Sequence, residues 1–321
     1  MINAEILETL WRQLSSAFQG AYTIGEDKAV DAFVTSMALS TRTMRFDFLG
    51  DSYEMRKWVG PRIARQLKSF EYEVGYEEYE LTHKVLRRDI IDHIVGPYNL
   101  AAFSGGTGAA LLKPRLVSEA LDEGNARLCY DGQFFFDTDH PVGEEGEATT
   151  ASNYFNAGGA QAAHPWYLMD LSASRPVKPI IALTREEATY VSYQNLSDPS
   201  VFYNKEFIFG AQKSMGTAYG LWQTAARCEA DMTVNKIIEI DTAMSELTGD
   251  NKNENGRRKK LGIKPTHIVH GRSQRERVKA LLNTPLITTF TGDVMAPGAS
   301  DTVKQNPIYQ GYTALEVTWL P

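Results

Sequence analysis

Cysteine is scarce in this chain. There are two in 321 residues, Cys129 and Cys228, far apart and in no Cys-x-x-Cys pair. That argues against a disulfide framework or a cysteine-built metal knuckle, and it fits a reducing compartment. Histidine is sparse too, with six. The chain has no His-Glu-x-x-His, no Gly-x-Ser-x-Gly and no Gly-x-x-x-x-Gly-Lys-Ser/Thr. The usual positive signs of a metalloprotease, a serine hydrolase and a P-loop enzyme are therefore missing. No run of about 18 apolar residues exists to span a bilayer. Met1 to Leu7 lacks the basic-then-apolar pattern of a signal peptide. Positive charge is not in surplus. Lys and Arg total 33 against 40 Asp and Glu, a net charge of -7, which argues against gripping nucleic acid along a basic face.

What is present is ordinary globular material, 43% hydrophobic and 23% charged, enough for one large or two modest domains. Ile6, Leu7, Leu10, Trp11, Leu14 and Phe18 recur at helical spacing after Asn3, with Gly20 as the expected stop. Residues 21–50 carry mixed signals, either an arm on another surface or a loop with a short helix near Ala29 to Leu39. Phe70, Tyr72, Val74 and Tyr76 then alternate with Glu71, Glu73 and Gly75. The phase slips at Glu77-Glu78 and resumes as Tyr79, Leu81, His83 and Val85. This predicts two strands in a hairpin or bulged ribbon, aromatic on one face and glutamate-rich on the other. A lone ribbon is marginal in water, so it lies on its own domain or on a neighbouring subunit.

Gly96-Pro97 opens a helical stretch through Leu112. Pro114 restarts a helix that Glu123-Gly124 ends. The small residues Gly105, Gly106 and Gly108 fit close packing against a sheet better than a phosphate loop. Residues 143–159 predict a long surface loop. Trp166 to Asp170, Pro179 to Leu183 and Phe207 to Phe209 are strand-like, and Ala225-Ala226 is helix-like. Beyond residue 228 come a helix (Ile237, Ile240, Met244, Leu247), a basic exposed loop (Arg257 to Lys260), a strand ending at His270, and a helix opened by Ser273-Gln-Arg-Glu276. Tyr312, Leu315, Val317 and Trp319 form a last strand.

One stretch invites chemistry. Asp137, Asp139 and His140 could be metal ligands or an acid/base cluster. The same residues also read as the end of a buried Phe134–Phe136 run that follows a Tyr130-Asp131-Gly132 turn. A zinc site needs three or four ligands with outer partners, and a lone Asp/His cluster is weak evidence. His267 and His270 lie three apart on a strand and face opposite sides. These residues therefore identify no cofactor and no catalytic set.

The order of segments resembles the Mu-like prophage major head subunit (gpT) family. The likeness runs through Trp58-Val-Gly-Pro-Arg62, Tyr130-Asp-Gly-Gln-Phe-Phe135 with Asp139-His-Pro141, and Trp166-Tyr-Leu-Met-Asp-Leu-Ser172. It continues through Lys178-Pro-Ile-Ile181, Lys205-Glu-Phe207, Gly220-Leu-Trp222, Gly262-Ile-Lys-Pro-Thr266 and Ala314 to Leu320. The resemblance implies an α+β tailed-phage major capsid fold of the Hong Kong 97 type. Its parts would be an N-terminal arm (1–50), an extended β-hairpin loop (51–86), and a peripheral domain (87–227) with a spine helix at about 97–123. An axial α/β domain (228–304) and a C-terminal strand returning to the peripheral domain (305–321) would follow.

The implied function is a major capsid protein, not an enzyme, that self-assembles into hexamers and pentamers of an icosahedral shell around double-stranded DNA. Shells of this kind are built in the host cytoplasm. DNA would be held by enclosure without specific binding, with no membrane and no cofactor involved. A separate scaffolding protein, a maturation protease and a portal are the implied partners. Expected inter-subunit residues are Trp58, Arg62, Arg65, Tyr72, Glu73, Tyr76, Glu77, Glu78, Tyr79, Arg87 and Arg88. The competing expectations are a metal-dependent hydrolase using Asp137, Asp139 and His140, and another phage structural protein of tail or decoration type.

Overall fold

The structure, a computed structural model, describes residues 4–25, 28–46, 72–143, 149–156, 164–193, 199–252, 257–288 and 303–321. The chain begins with α1 (Ala4–Ile24), a 3-10 turn (Val30–Phe33), β1 (Val34–Ala38), β2 (Thr43–Arg45), β3 (Glu73–Gly75) and β4 (Glu77–Leu86). Then come α2 (Arg87–Ile91), α3 (Gly96–Asp122), the short strands β5 (His140–Pro141), β6 (Thr150–Ala151) and β7 (Tyr154–Phe155), and β8 (Trp166–Met169). Next are β9 (Ile180–Tyr193), α4 (Pro199–Asn204), β10 (Glu206–Tyr219), β11 (Ala225–Cys228), α5 (Val234–Glu246), β12 (Thr248–Lys252) and β13 (Arg258–Lys260). The chain closes with β14 (His267–His270), α6 (Arg275–Asn283), β15 (Leu286–Thr288), β16 (Val303–Gln305) and β17 (Thr313–Glu316). No described helix is long and apolar enough to cross a membrane.

Two sheets organise this mixed fold. The first runs β1-β9-β10-β4, with β1 parallel to β9 and the other pairs antiparallel. The second runs β17-β14-β8-β11-β7. Every residue of β8 and β11 is buried, which explains why β8 reads as a continuous apolar run and does not alternate. One face of this second sheet, with Trp166, Leu168, Ala226, Cys228 and Ile268, packs on Ile237 and Ile240 of α5 and Leu281 of α6. The opposite face, with Tyr167, Met169, Ala225 and Val269, shares a core with Val117 and Leu121 of α3, Phe135, Phe136 and β9.

A third core lies between the first sheet and the pair α1–α3. The stripe Leu7, Leu10, Leu14, Phe18 meets Val85, Tyr190, Phe207 and Phe209. The two helices run parallel: Arg12 to Ala17 lie beside Asn99 to Phe103, Phe18 beside Gly105 and Gly106, and Gly25 beside Thr107 and Ala110. Glycine makes this approach possible. A Cβ on Gly106 would stand 2.2 Å from the Phe18 carbonyl oxygen, and one on Gly105 would stand 2.3 Å from Leu81 Cδ2. The small residues of α3 therefore receive a helix as well as a strand. α1 runs through Gly20, where no neighbour lies within 4 Å, because Ala21 beyond it is still buried. Its end is clasped by polar groups. The Tyr22 hydroxyl donates to Glu187 (2.7 Å), and the buried Lys213 ammonium donates to the Tyr22 oxygen (2.9 Å) and lies 3.4 Å from Glu187.

α3 continues unbroken through Pro114. Its last carbonyls, which no helical N–H can reach, are taken by three side chains. Tyr219 of β10 donates to Ala120 O (2.7 Å), Tyr167 of β8 donates to Leu121 O (3.3 Å), and Arg227 of β11 donates to Asp122 O. Both sheets thus hold one helix end. Burial pushes the Tyr167 and Tyr219 hydroxyls far above the ordinary phenol value, so both remain donors.

Besides the passage of α1 through Gly20 and of α3 through Pro114, four expectations change. The strands predicted as a ribbon do not pair with each other: β3 pairs with β2, and β4 with β10. Ala225-Ala226 is strand, since it pairs with Met169 and Leu168 of β8, and both alanines are buried. Residues 34–38 are strand where a short helix was an option. The last strand pairs in parallel with β14, inside the sheet that also carries α5 and α6. That sheet takes β7, β8, β11 and β17 from outside 228–304.

Gly106→Ala should lower stability even though alanine favours a helix by about 1 kcal/mol. Gly108→Ala, with open space around it, should raise the melting temperature. Tyr219→Phe should cost about 1–2 kcal/mol by stranding a buried carbonyl. Chemical denaturation of unassembled subunit checks all three, and a stabilised Gly106→Ala would rule out the close helix approach.

Candidate functional site

Strand β4 ends the order of its sheet, and its residues bear most of the expected contacts. Glu77, Glu78 and Glu80 are exposed, as edge strands commonly are when they carry charge. Tyr79 is half-buried, and its hydroxyl is 3.3 Å from Glu77. Burial and then the Glu77 charge raise its pKa. Arg87 and Arg88 stand at the opposite end, about 30 Å away along ten residues of strand. The acidic and basic ends therefore do not meet within one chain.

Three other expected residues are occupied by their own chain. Tyr72 packs against the core beside Phe46 (5.7 Å) and accepts the Tyr219 N–H (2.9 Å). Burial raises its pKa to about 12. Tyr76 lies under the Arg185 guanidinium at 5.0 Å, and Glu73 accepts from the Thr43 hydroxyl. Trp58, Arg62 and Arg65 lie outside the described residues. A shallow groove between α1 and α3 is lined by Arg12, Gln13, Ser16, Ala17, Asn99, Leu100 and Phe103. Leu100 there is 70% exposed and Phe103 46%.

Among the described residues, the one cluster with metal-type chemistry is not the predicted one. Asp137 turns back to its own loop, accepting from Phe134 N–H (3.3 Å) and Thr138 N–H (2.7 Å), and Asp139 is exposed. His140 is fully buried and instead meets Asp131, with Nδ1 2.7 Å from the carboxylate. The Cys129 thiol donates to the other oxygen of Asp131 (2.9 Å), as does Gln133 N–H (3.1 Å). The imidazole is stacked on Trp222 at 4.0 Å. Gly132, at φ 84°, makes the turn that folds Asp131 inward.

Asn153 closes the cluster. Its Nδ2 donates to Phe135 O (2.8 Å), Ala225 O (3.1 Å) and Trp222 O (3.2 Å). Its Oδ1 accepts Asp137 N–H (2.9 Å) and faces His140 Nε2 (3.2 Å). Three carbonyls fix which way the amide points, so Nε2 must carry the hydrogen. Burial raises the Asp131 pKa, but hydrogen bonds from His140 and Cys129 and the His140 charge outweigh it, leaving a net depression. Burial, then the Asp131 charge, pushes the Cys129 thiol far up. A thiol so placed is no nucleophile. The imidazole has both nitrogens engaged, and no substrate reaches either. The hydrolase expectation thus loses its residue set.

Asp131 was visible in the sequence only as a turn residue and Cys129 only as a lone thiol. Their two-residue separation and the nine residues from Asp131 to His140 match no recognised ligand spacing. Asn153 sits in an aperiodic loop and gave no signal.

Because the folded pKa of Asp131 lies below its unfolded value, its contribution is present above the unfolded range. It is lost as the pH falls through the folded value. Asp131→Asn should cost about 3 kcal/mol near neutrality, the scale for breaking a buried pair. The deficit should shrink in acid. A penalty that stays constant from neutral pH down through the carboxylate range would contradict the ionised pairing.

The family model described as Mu-like prophage major head subunit gpT matches residues 7–306. The major capsid protein of Escherichia phage Mu is 32% identical over 286 residues, covering 87% of this chain and 89% of that one. The Mu-like prophage FluMu major head subunit of Haemophilus influenzae is 30% identical over 290 residues, covering 88% and 92%. Among solved structures, a chain of the bacteriophage JBD30 procapsid aligns with a TM-score of 0.77 at 29% identity, over 99% of this chain and 100% of that chain. A chain of the decorated JBD30 capsid gives 0.72 at 20% identity, over 94% and 93%, a likeness of fold.

Proposed function

Since the chain belongs to the Mu-like prophage major head subunit gpT family and is a phage major capsid protein, not an enzyme, we propose how its copies join. They form hexameric and pentameric rings that close an icosahedral shell around double-stranded DNA. A separate scaffolding protein, a maturation protease and a portal serve that assembly in the host cytoplasm. The observation that carries the reading is the agreement along almost the whole chain with a procapsid subunit.

The described elements fit the parts of such a subunit. α3 is the spine helix, and α5, β14 and α6 belong to the axial unit. β2 and β3 pair side by side, Arg45 opposite Glu73, and Tyr72 next to them belongs to the core, so it is not counted among the joint residues. Trp58, Arg62 and Arg65 lie outside the described residues. The acidic end of β4 (Glu77, Glu78, with Tyr79) meets the basic end (Arg87, Arg88) of a neighbour. Leu100 and Phe103, exposed on α3, add apolar contact area. Each exposed ion pair is worth about 1 kcal/mol or less, so the joint gains strength from repetition and weakens with salt. The net charge of -7 suits enclosing DNA without gripping it.

Glu77→Lys with Glu78→Lys should leave subunit stability within about 0.5 kcal/mol, as for exposed substitutions, yet sharply lower the yield of closed particles. Adding Arg87→Glu and Arg88→Glu to the same chain should restore particles. Sedimentation and negative-stain microscopy read both outcomes. Normal shells from the first variant would refute the charge-paired joint.

A further inference from the structure

We propose that Cys129, Asp131 and His140 form a site for one divalent cation of the zinc type. The site would lie inside the subunit and outside every contact surface described above. The first argument is convergence. The sulfur, a carboxylate oxygen and an imidazole nitrogen all lie within 4.8 Å of one another, in a set where Cys129 and His140 are buried and Asp131 nearly so. Thiolate, imidazole and carboxylate are the donors zinc takes, at about 2.0–2.3 Å each. The sulfur and Nδ1 now bond to different oxygens of Asp131, at 2.9 Å and 2.7 Å; seating the ion requires the carboxylate to turn and these separations to open by roughly half an ångström or more, to the spacing of tetrahedral ligands.

The second argument is aim. Metal-bound histidines usually donate the remote ring N–H to a fixed acceptor. Here Nε2–H points at Asn153 Oδ1, and the amide is locked by three carbonyls and the Asp137 N–H. Nδ1 is thereby turned toward Asp131 and Cys129. The Phe134 carbonyl is a further donor, 4.0 Å from the sulfur. A water or that carbonyl completes the coordination.

The third argument is charge. Without metal, the three donors are bridged by two protons, one on the thiol and one between Nδ1 and the carboxylate. A divalent ion replaces both, leaving thiolate, carboxylate and neutral imidazole around two positive charges. The net charge of the buried site is unchanged, which removes the main penalty of placing an ion in a protein interior. The ion would close the loop carrying Phe135 and Phe136, joining its start at Cys129 and Asp131 to its end at His140.

The full chain, expressed in zinc-supplemented medium, should carry about one metal per chain, releasing about two protons on binding in weak buffer. The cobalt-loaded protein should show a thiolate charge-transfer band and the strong visible bands of tetrahedral cobalt. Cys228→Ala should keep both signals, and Cys129→Ala and His140→Gln should lose them while retaining the circular dichroism of the parent. Should those two variants fail to fold, the cobalt spectrum and proton release of Cys228→Ala decide. A metal-free parent under these conditions, or metal retained equally by Cys129→Ala, would leave a hydrogen-bonded clasp only and overturn the proposal.

Discussion

The C-terminal carbonyls of α3 are the point on which the fold turns. A helix end buried in protein must find donors for them or forfeit the solvation it has lost. Here three donors come from three strands, Tyr219, Tyr167 and Arg227. Two of those strands belong to the five-stranded sheet and one to the four-stranded sheet. The angle between the sheets is therefore set at a single helix terminus, and the large aromatic core of Phe135, Phe136 and Tyr219 fills the corner they make. Arg227 also pairs with Glu229 at 2.9 Å and lies over Tyr167, so its charge is met inside the same corner.

The rest of the architecture attaches to that corner. The five-stranded sheet has no solvent face across β8 and β11, and it divides a helix-covered core from the aromatic one. α3 carries the first sheet and α1 on its other half, where glycines let backbone meet backbone. The polar cluster around Asp131 and His140 binds the loop after α3 to the same assembly, through carbonyls of Phe135, Trp222 and Ala225.

Some of this was legible in the residues. The α1 stripe, the Gly-Pro opening and Glu-Gly close of α3, the apolar run of β8 and the helix–strand–helix of α5, β14 and α6 are local patterns, and local patterns survive translation into sequence. The opposed faces of His267 and His270 followed from strand geometry, and the second of the pair is the buried one. Partnership was not legible. The alternation from Tyr72 to Val85 announces strands but does not say with whom they pair, and both strands chose distant partners. Ala225-Ala226 became strand through its pairing with Met169 and Leu168 of β8, a distant segment that the local composition does not announce. Cys129 and Asn153 joined His140 through loops whose composition carries no period. The whole-chain likeness to head subunits supplied what local pattern could not.

Twenty-seven residues of unbroken helix make α3 a rod about 40 Å long. One tip is pinned in the corner between the sheets, and the other stands near solvent with Leu100 and Phe103 uncovered. Load applied near Gly96 therefore runs down the helix axis and divides at the far end, into one sheet through Tyr219 and into the other through Tyr167 and Arg227.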